Sequence, residues 1–176
     1  MKQNYWDVSD ILASSEKIPT RFNFTVPGIG HLDNQPGKAI KKDTKVELPF
    51  WLAQSLAVAP VSGDASIIML LAPDALNNTV QNAIKSDPVS IDLHSIAPNF
   101  YILAERWCAL FTDEELSETL KKLCKERAYE INNFASNTSK QINNNFILSL
   151  DEFEKKLYKR TMESNRNLRD WLNDQA

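Results

Sequence analysis

Lys45-Val46-Glu47-Leu48-Pro49-Phe50-Trp51-Leu52-Ala53 carries the sharpest change of local structure in the chain. Val46 and Leu48 alternate with charged Lys45 and Glu47, the period-2 pattern of a strand with one buried face. Pro49 ends the alternation. Its ring fixes φ and removes a donor N–H, which suits the first position of a helix. Phe50, Trp51, Leu52, Ala53, Leu56 and Ala57 follow, with more apolar surface than one helix face needs. Such a helix is buried nearly all round, or its outer side meets another protein. The first reading places Phe50, Trp51 and Leu52 in the core of a domain that mixes strand and helix.

The sequence around this stretch keeps that mixed character. Ser9-Asp10-Ile11-Leu12-Ala13 opens a short helix with Ser9 as its N-cap. Thr20 to Val26 alternates polar and apolar residues and predicts a strand. Pro27-Gly28-Ile29-Gly30 and Asn34-Gln35-Pro36-Gly37 are turns. Ser66 to Leu71 predicts a short, fully buried strand, and Asp74 to Ile84 a helix with Pro73 near its start. All 4 glycines (Gly28, Gly30, Gly37 and Gly63) lie in this part of the chain, which puts its turns there.

Beyond Asp87 the pattern is helical. Asp87-Pro88 marks a connection, since a residue before proline avoids the α region. Pro98 to Phe111 predicts a central helix, with Phe100 and Trp107 in its core. Thr112-Asp113-Glu114-Glu115 has the spacing of a capping box, and Leu116, Leu120, Leu123, Ala128, Ile131 and Phe134 then recur on one face. Asn132 to Asn145 is rich in Asn and Ser and reads as a mobile loop. Ser149-Leu150-Asp151-Glu152 repeats the capping pattern. From Ser149 to Leu172 the last helix would be roughly 36 Å long, against a radius of gyration of about 12 Å for a domain of this size. It spans its subdomain or protrudes from it. Leu157, Leu168, Trp171 and Leu172 then need cover, from a partner subunit or by folding back on the Trp107 helix. The fold class is therefore α+β and mostly helical, with a small β-rich domain over 1–86 and an α-helical domain over 87–176.

Composition narrows the function. Of the 176 residues 43% are hydrophobic, enough for a real core. The net charge of −3 disfavours nucleic-acid binding by bulk charge. Lys38, Lys41, Lys42 and Lys45 form one compact basic cluster, read as a solvated loop or as candidate DNA contacts; Asp43 and Glu47 dilute it. The mixed run Glu152 to Arg160 reads as a solvated helix face with i,i+4 pairs such as Glu152 with Lys156. Met1 to Asp7 has no apolar signal region and no stretch is long and apolar enough to span a membrane, so an intracellular soluble protein is expected. Cys108 and Cys124 sit apart in apolar helical contexts and read as reduced core residues.

No catalytic or metal-ligating constellation stands out, and no cofactor is expected. Asp92 and His94 are an acid–base pair only in an extended segment, where they would share a face, and no nucleophile accompanies them. A structural hydrogen bond from His94 at the junction of the two halves is the favoured reading. The glycine turn lacks the third glycine or the G-K-[ST] that a phosphate cradle needs.

Four stretches, taken in order, resemble the third Psf subunit of the eukaryotic GINS replication complex, the partner of Sld-five family. They are Tyr5-Trp6-Asp7-Val8-Ser9-Asp10-Ile11-Leu12-Ala13, Pro27-Gly28-Ile29-Gly30, Leu48-Pro49-Phe50-Trp51-Leu52-Ala53, and Ala83-Ile84-Lys85-Ser86-Asp87-Pro88 running on to Asp92-Leu93-His94. Similarity continues thinly to Asn165–Trp171, so it covers essentially the whole chain. The resemblance implies a β-rich part followed by a helical part and a non-catalytic, structural role in the nucleus. It implies a heterotetramer with Sld-five and two further Psf proteins, which joins the Cdc-forty-five protein and the MCM ring in the CMG helicase at the replication fork. ATP hydrolysis would belong to MCM. Leu157, Leu168, Trp171 and Leu172 are then the expected subunit contacts.

Overall fold

The computed structural model describes residues 6–62, 65–136 and 145–174. The chain divides into two units, Met1–Asn77 and Asn78–Ala176.

In the first unit, alternation decides which side chains face inward. β1 (Lys17–Phe22) buries Ile18, Thr20 and Phe22, and β2 (Lys45–Pro49) buries Val46 and Leu48. β1 is central in an antiparallel sheet of order β2-β1-β5, with β5 at Ile68–Leu70. Ile18 pairs with Leu48, Thr20 with Val46, and Phe22 with Ile68 on the other edge. Phe22, Val46, Leu48 and Ile68 then meet Ile40 and Ala53 in one core, Ala53 coming from α2 (Phe50–Val58). Thr20 is buried without an open donor, because its hydroxyl donates to the Val46 carbonyl at 2.7 Å.

Pairing along β1 starts earlier and stops sooner than the predicted Thr20–Val26 strand. The Phe22 N–H and C=O turn to Thr44 and Asp43, and Val26 returns only as an isolated bridge to Ile40. Pro19 is tolerated inside a central strand for a local reason. Its carbonyl accepts from the Leu71 N–H at 2.9 Å, so its missing donor faces the same edge, at the end of a β5 ladder that begins at Thr20. Pro49 closes β2 and caps α2 rather than occupying its first turn.

Three further expectations change here. Trp51, expected in the core, is 55% exposed, while Phe50 and Ala53 are buried and Leu52 is half-buried. One residue is a 100° step around a helix, so burial of Phe50 and Ala53 turns Trp51 outward. The Ser66–Leu71 segment is only partly buried, with Met69 facing out; ahead of β5, β3 (Pro60–Ser62) pairs with β4 (Ala65–Ser66). α1 (Val8–Ser15) is capped by Asp7, whose carboxylate accepts from the Ser9 N–H at 3.0 Å, so Ser9 is not the cap.

In the second unit, α6 (Glu114–Ser136) takes the central place that the sequence gives to α5 (Phe100–Phe111). α3 (Asn78–Ser86), α5 and α8 (Glu152–Asp174) all pack on α6, and α4 (Leu93–Ile96) packs on α5. Phe100 and Trp107 are buried in α5. Because α3 packs on α6, the division falls near residue 77 instead of at 86–87; Pro88 interrupts the chain inside the helical unit. Thr112 closes α5 in a left-handed conformation, and Asp113 caps α6 by accepting from the Leu116 N–H at 3.0 Å. The helix runs through the Asn-rich segment as far as Ser136, and α7 (Asn145–Leu148) follows; residues 137–144, like 1–5 of the N-terminal arm, lie outside the described residues.

Gly30 is required by close approach. A Cβ there would meet the carbonyl oxygens of Gln35 and Lys38, the two residues that also bond the Gly30 backbone. Gly30→Ala should therefore destabilise the first unit by at least about 1 kcal/mol; an unchanged melting temperature in the purified complex would contradict this close packing.

Candidate assembly interface and the ion pair beneath it

α8 buries one stripe at its base and exposes the same stripe at its end. Leu150 precedes the helix and is buried; Glu154 is buried, and Leu157 and Thr161 are half-buried. These positions, with Leu168, Trp171 and Leu172, recur at three- and four-residue steps and share one side of the helix. Asn165 still reaches the other helix, its Nδ2 donating to Ser136 Oγ at 3.2 Å, at the last residue of α6. Beyond it, every residue from Arg166 to Asp174 is exposed. Leu168, Trp171 and Leu172 are 55%, 54% and 52% exposed. α8 thus runs past α6 and does not fold back on the Trp107 helix.

The base of α8 is held in large part by a buried charge pair, and its Glu154 lies in the Glu152–Arg160 run expected to face solvent. Arg127 of α6 and Glu154 of α8 are 0% and 2% exposed. The guanidinium grips the carboxylate with two parallel bonds, Nε to Oε1 at 2.8 Å and Nη2 to Oε2 at 2.9 Å. Its remaining donors reach main-chain carbonyls: Nη1 to Pro88 and Val89 at 3.2 Å and to Ile91 at 2.9 Å, Nη2 to Ser149 at 3.3 Å. The Phe146 ring lies 5.0 Å from the guanidinium carbon and stacks on Phe134. Glu154 also accepts from the Tyr101 hydroxyl at 2.8 Å and from the Asp151 N–H at 3.2 Å. Burial, and then the Glu154 carboxylate, hold the Tyr101 phenol far above its usual range.

Asp151 and Glu154 supply one half of a capping box, two residues later than the sequence placed it. Asp151 Oδ1 accepts from the Glu152 N–H at 2.6 Å while Glu154 reaches back to the Asp151 N–H. Ser149 instead donates its hydroxyl to the Phe146 carbonyl at 2.8 Å. Asp151 is fully buried and its Oδ2 has no hydrogen-bond partner. Burial is the main reason its carboxyl is pushed up to about 6; bonds from the backbone oppose this, and the Glu154 charge adds to it.

The remaining sequence candidates have local roles. Asp92 caps α4, accepting from the Ser95 N–H at 3.0 Å and hydroxyl at 2.6 Å, which hold its carboxyl below the usual range. His94 Nδ1 lies 3.2 Å from Lys155 Nζ, which also bonds Glu152 at 2.8 Å. His94 thus ties α4 to α8 within the helical unit, not across the junction of the halves, and Glu152 pairs at i,i+3 with Lys155. Lys38, Lys41, Lys42 and Lys45 are all exposed, with Asp43 and Glu47 exposed among them. Cys108 and Cys124 are free and half-buried, and burial raises both thiols. Among the described residues, no three His, Cys, Asp or Glu side chains gather as a metal site would need.

Comparison with known proteins gives this architecture a class. Residues 75–173 match the profile of the GINS complex protein helical bundle domain, and residues 6–58 that of the PSF3 N-terminal domain. The Debaryomyces hansenii DNA replication complex GINS protein PSF3 is 58% identical over 99% of this chain and 100% of its own length. The PSF3 proteins of Candida albicans and Saccharomyces cerevisiae are 45% and 38% identical, over 98% and 96% of this chain and 98% and 97% of theirs. The helical unit is a GINS-type bundle. The chain belongs to the PSF3 family of GINS subunits, whose members are DNA replication proteins.

The Asp151 carboxyl has a signed consequence for stability. Its proton is held more tightly in the folded chain than at the ordinary value of 3.8, so its contribution is present in full below that value and is lost as pH rises through about 6. Asp151→Asn keeps a capping oxygen and removes the charge. It should flatten the stability profile between about pH 4 and 6 and raise stability at pH 7. Urea unfolding of the purified complex across that range checks this; a variant less stable than the parent at pH 7 would contradict it.

Proposed function

We propose that this chain is a non-catalytic structural subunit of a GINS heterotetramer, assembled with Sld-five and two further Psf proteins. In this reading it acts in the nucleus within the CMG helicase, where the tetramer joins the Cdc-forty-five protein and the MCM ring during initiation and elongation of replication. The observation that supports it is the apolar stripe of α8, which covers the buried base of the helix and continues unpaired to Leu172. Leu157, Leu168, Trp171 and Leu172 are the proposed subunit contacts. Placing the exposed half of each large side chain against a partner contributes on the order of 1 kcal/mol apiece. Their loss to water in a lone chain favours aggregation.

Leu168→Asp should weaken assembly tenfold or more without unfolding the helical unit, because the residue lies beyond the end of α6. Co-expression with the three sister subunits, followed by size-exclusion chromatography with light scattering, checks both parts of the reading. One peak with one copy of each chain is expected for the parent, against an aggregating lone chain. A monodisperse monomer that ignores the other three would overturn the assembly reading, and unchanged co-purification of Leu168→Asp would remove that residue from the interface.

A further inference from the structure

Arg127 touches several of the segments around the start of α8, where the Pro98 carbonyl also accepts the Glu152 N–H at 3.0 Å and His94 also meets Lys155. Its Nη1 holds the carbonyls of Pro88, Val89 and Ile91, ahead of α4. Its Nη2 holds the Ser149 carbonyl two residues before the Asp151 cap, and its fork holds Glu154 in the first turn of α8. Glu154 in turn bonds Asp151 and Tyr101, which links α5. The exposed stripe lies at the other end of the same helix. A tilt of about 10° at Glu154 displaces Leu172, some 27 Å along the axis, by roughly 5 Å.

We propose that Arg127 is a positioning residue for assembly: by clamping Glu154 and the 88–91 and Ser149 carbonyls it sets the direction of α8 and so delivers Leu168, Trp171 and Leu172 to a sister subunit. This rests on the reading of that stripe as a subunit contact. A buried apolar residue at position 127 would fill space but hold none of these carbonyls. A lysine would keep the charge but lose the planar fork.

The test uses the co-expressed tetramer and a double-mutant cycle on its dissociation, followed by dilution. Arg127→Lys should raise the dissociation constant at least tenfold in the parent. In a Leu168→Ala background it should add less than threefold, because the contact that the clamp serves is already lost. An equal loss in both backgrounds, or no loss in the parent, would overturn the proposal. Glu154→Gln, which keeps the shape of the side chain, should behave as Arg127→Lys does and serves if the lysine variant does not fold.

A second readout separates this proposal from the interface reading. Spin labels at Lys122→Cys on α6 and Arg169→Cys on α8, with Cys108 and Cys124 replaced by serine, report the angle between the helices. The distance distribution should broaden or shift with Arg127→Lys. If Leu168→Ala leaves assembly unchanged, the interface reading fails, and a broadened distribution still supports the clamp. An unchanged distribution overturns the clamp whatever the interface proves to be.

Discussion

A charge buried away from water must be paired and its remaining hydrogen-bonding capacity filled, or the chain does better without it. Arg127 and Glu154 meet both conditions. The carboxylate takes two guanidinium bonds, the Tyr101 hydroxyl and the Asp151 N–H, and the guanidinium spends its other donors on carbonyls that no helix claims. Pro88, Val89 and Ile91 lie in a connection whose carbonyls lack a regular ladder, and Ser149 lies between α7 and α8. The pair thus satisfies the Pro88, Val89 and Ile91 carbonyls and adds a second donor to the Ser149 carbonyl, which also accepts the His94 N–H at 3.2 Å. Such a cluster contributes less to net stability than to choosing one arrangement: breaking it leaves a buried charge, so alternative placements of α8 are disfavoured.

The placement of α8 has consequences along its length. Its base is fixed by side chains from α5 and α6 and by the Asp151 cap, and its far end, past Asn165, is held by nothing among the described residues. A rigid helix with an apolar stripe at its free end offers a preformed contact to a partner. The first unit also leaves large apolar side chains outward, Trp6, Val8, Ile11 and Leu12 around α1 and Trp51 on α2. Both units therefore carry large exposed apolar side chains, on α1 and α2 in the first and at the end of α8 in the second.

The sequence is most legible where one period holds over a whole element. β2, the start of α2, α5 and the capped start of α6 all follow alternation or helical spacing. The caps were misplaced by one or two residues at Ser9, Thr112 and Ser149, each time because an aspartate nearby (Asp7, Asp113, Asp151) won the position with a stronger acceptor. Trp51 is hard to place because Phe50, Trp51 and Leu52 are consecutive large apolar residues, so no stripe marks the inner face of α2. Arg127 and Glu154 were hidden by the rule that charges face solvent. A signal was present: Arg127 falls four residues after Leu123 and four before Ile131, and Glu154 falls between Leu150 and Leu157. Opposite charges set into two apolar stripes mark a buried pair between the helices that carry them. Length alone leaves α8 either spanning its subdomain or protruding from it, and the exposure of every residue from Arg166 to Asp174 decides for the second.

The most direct measurement is thiol labelling of single cysteines on α8 within the assembled tetramer, in a background without Cys108 and Cys124. Leu168→Cys and Leu172→Cys lie on the apolar stripe, and Asp170→Cys lies on the opposite, exposed side. Slow labelling at 168 and 172, with labelling at 170 at the rate of a free thiol, is the expected result. Equally fast labelling at all three positions would mean that the stripe faces water in the complex, and that α8 is not held in place for assembly.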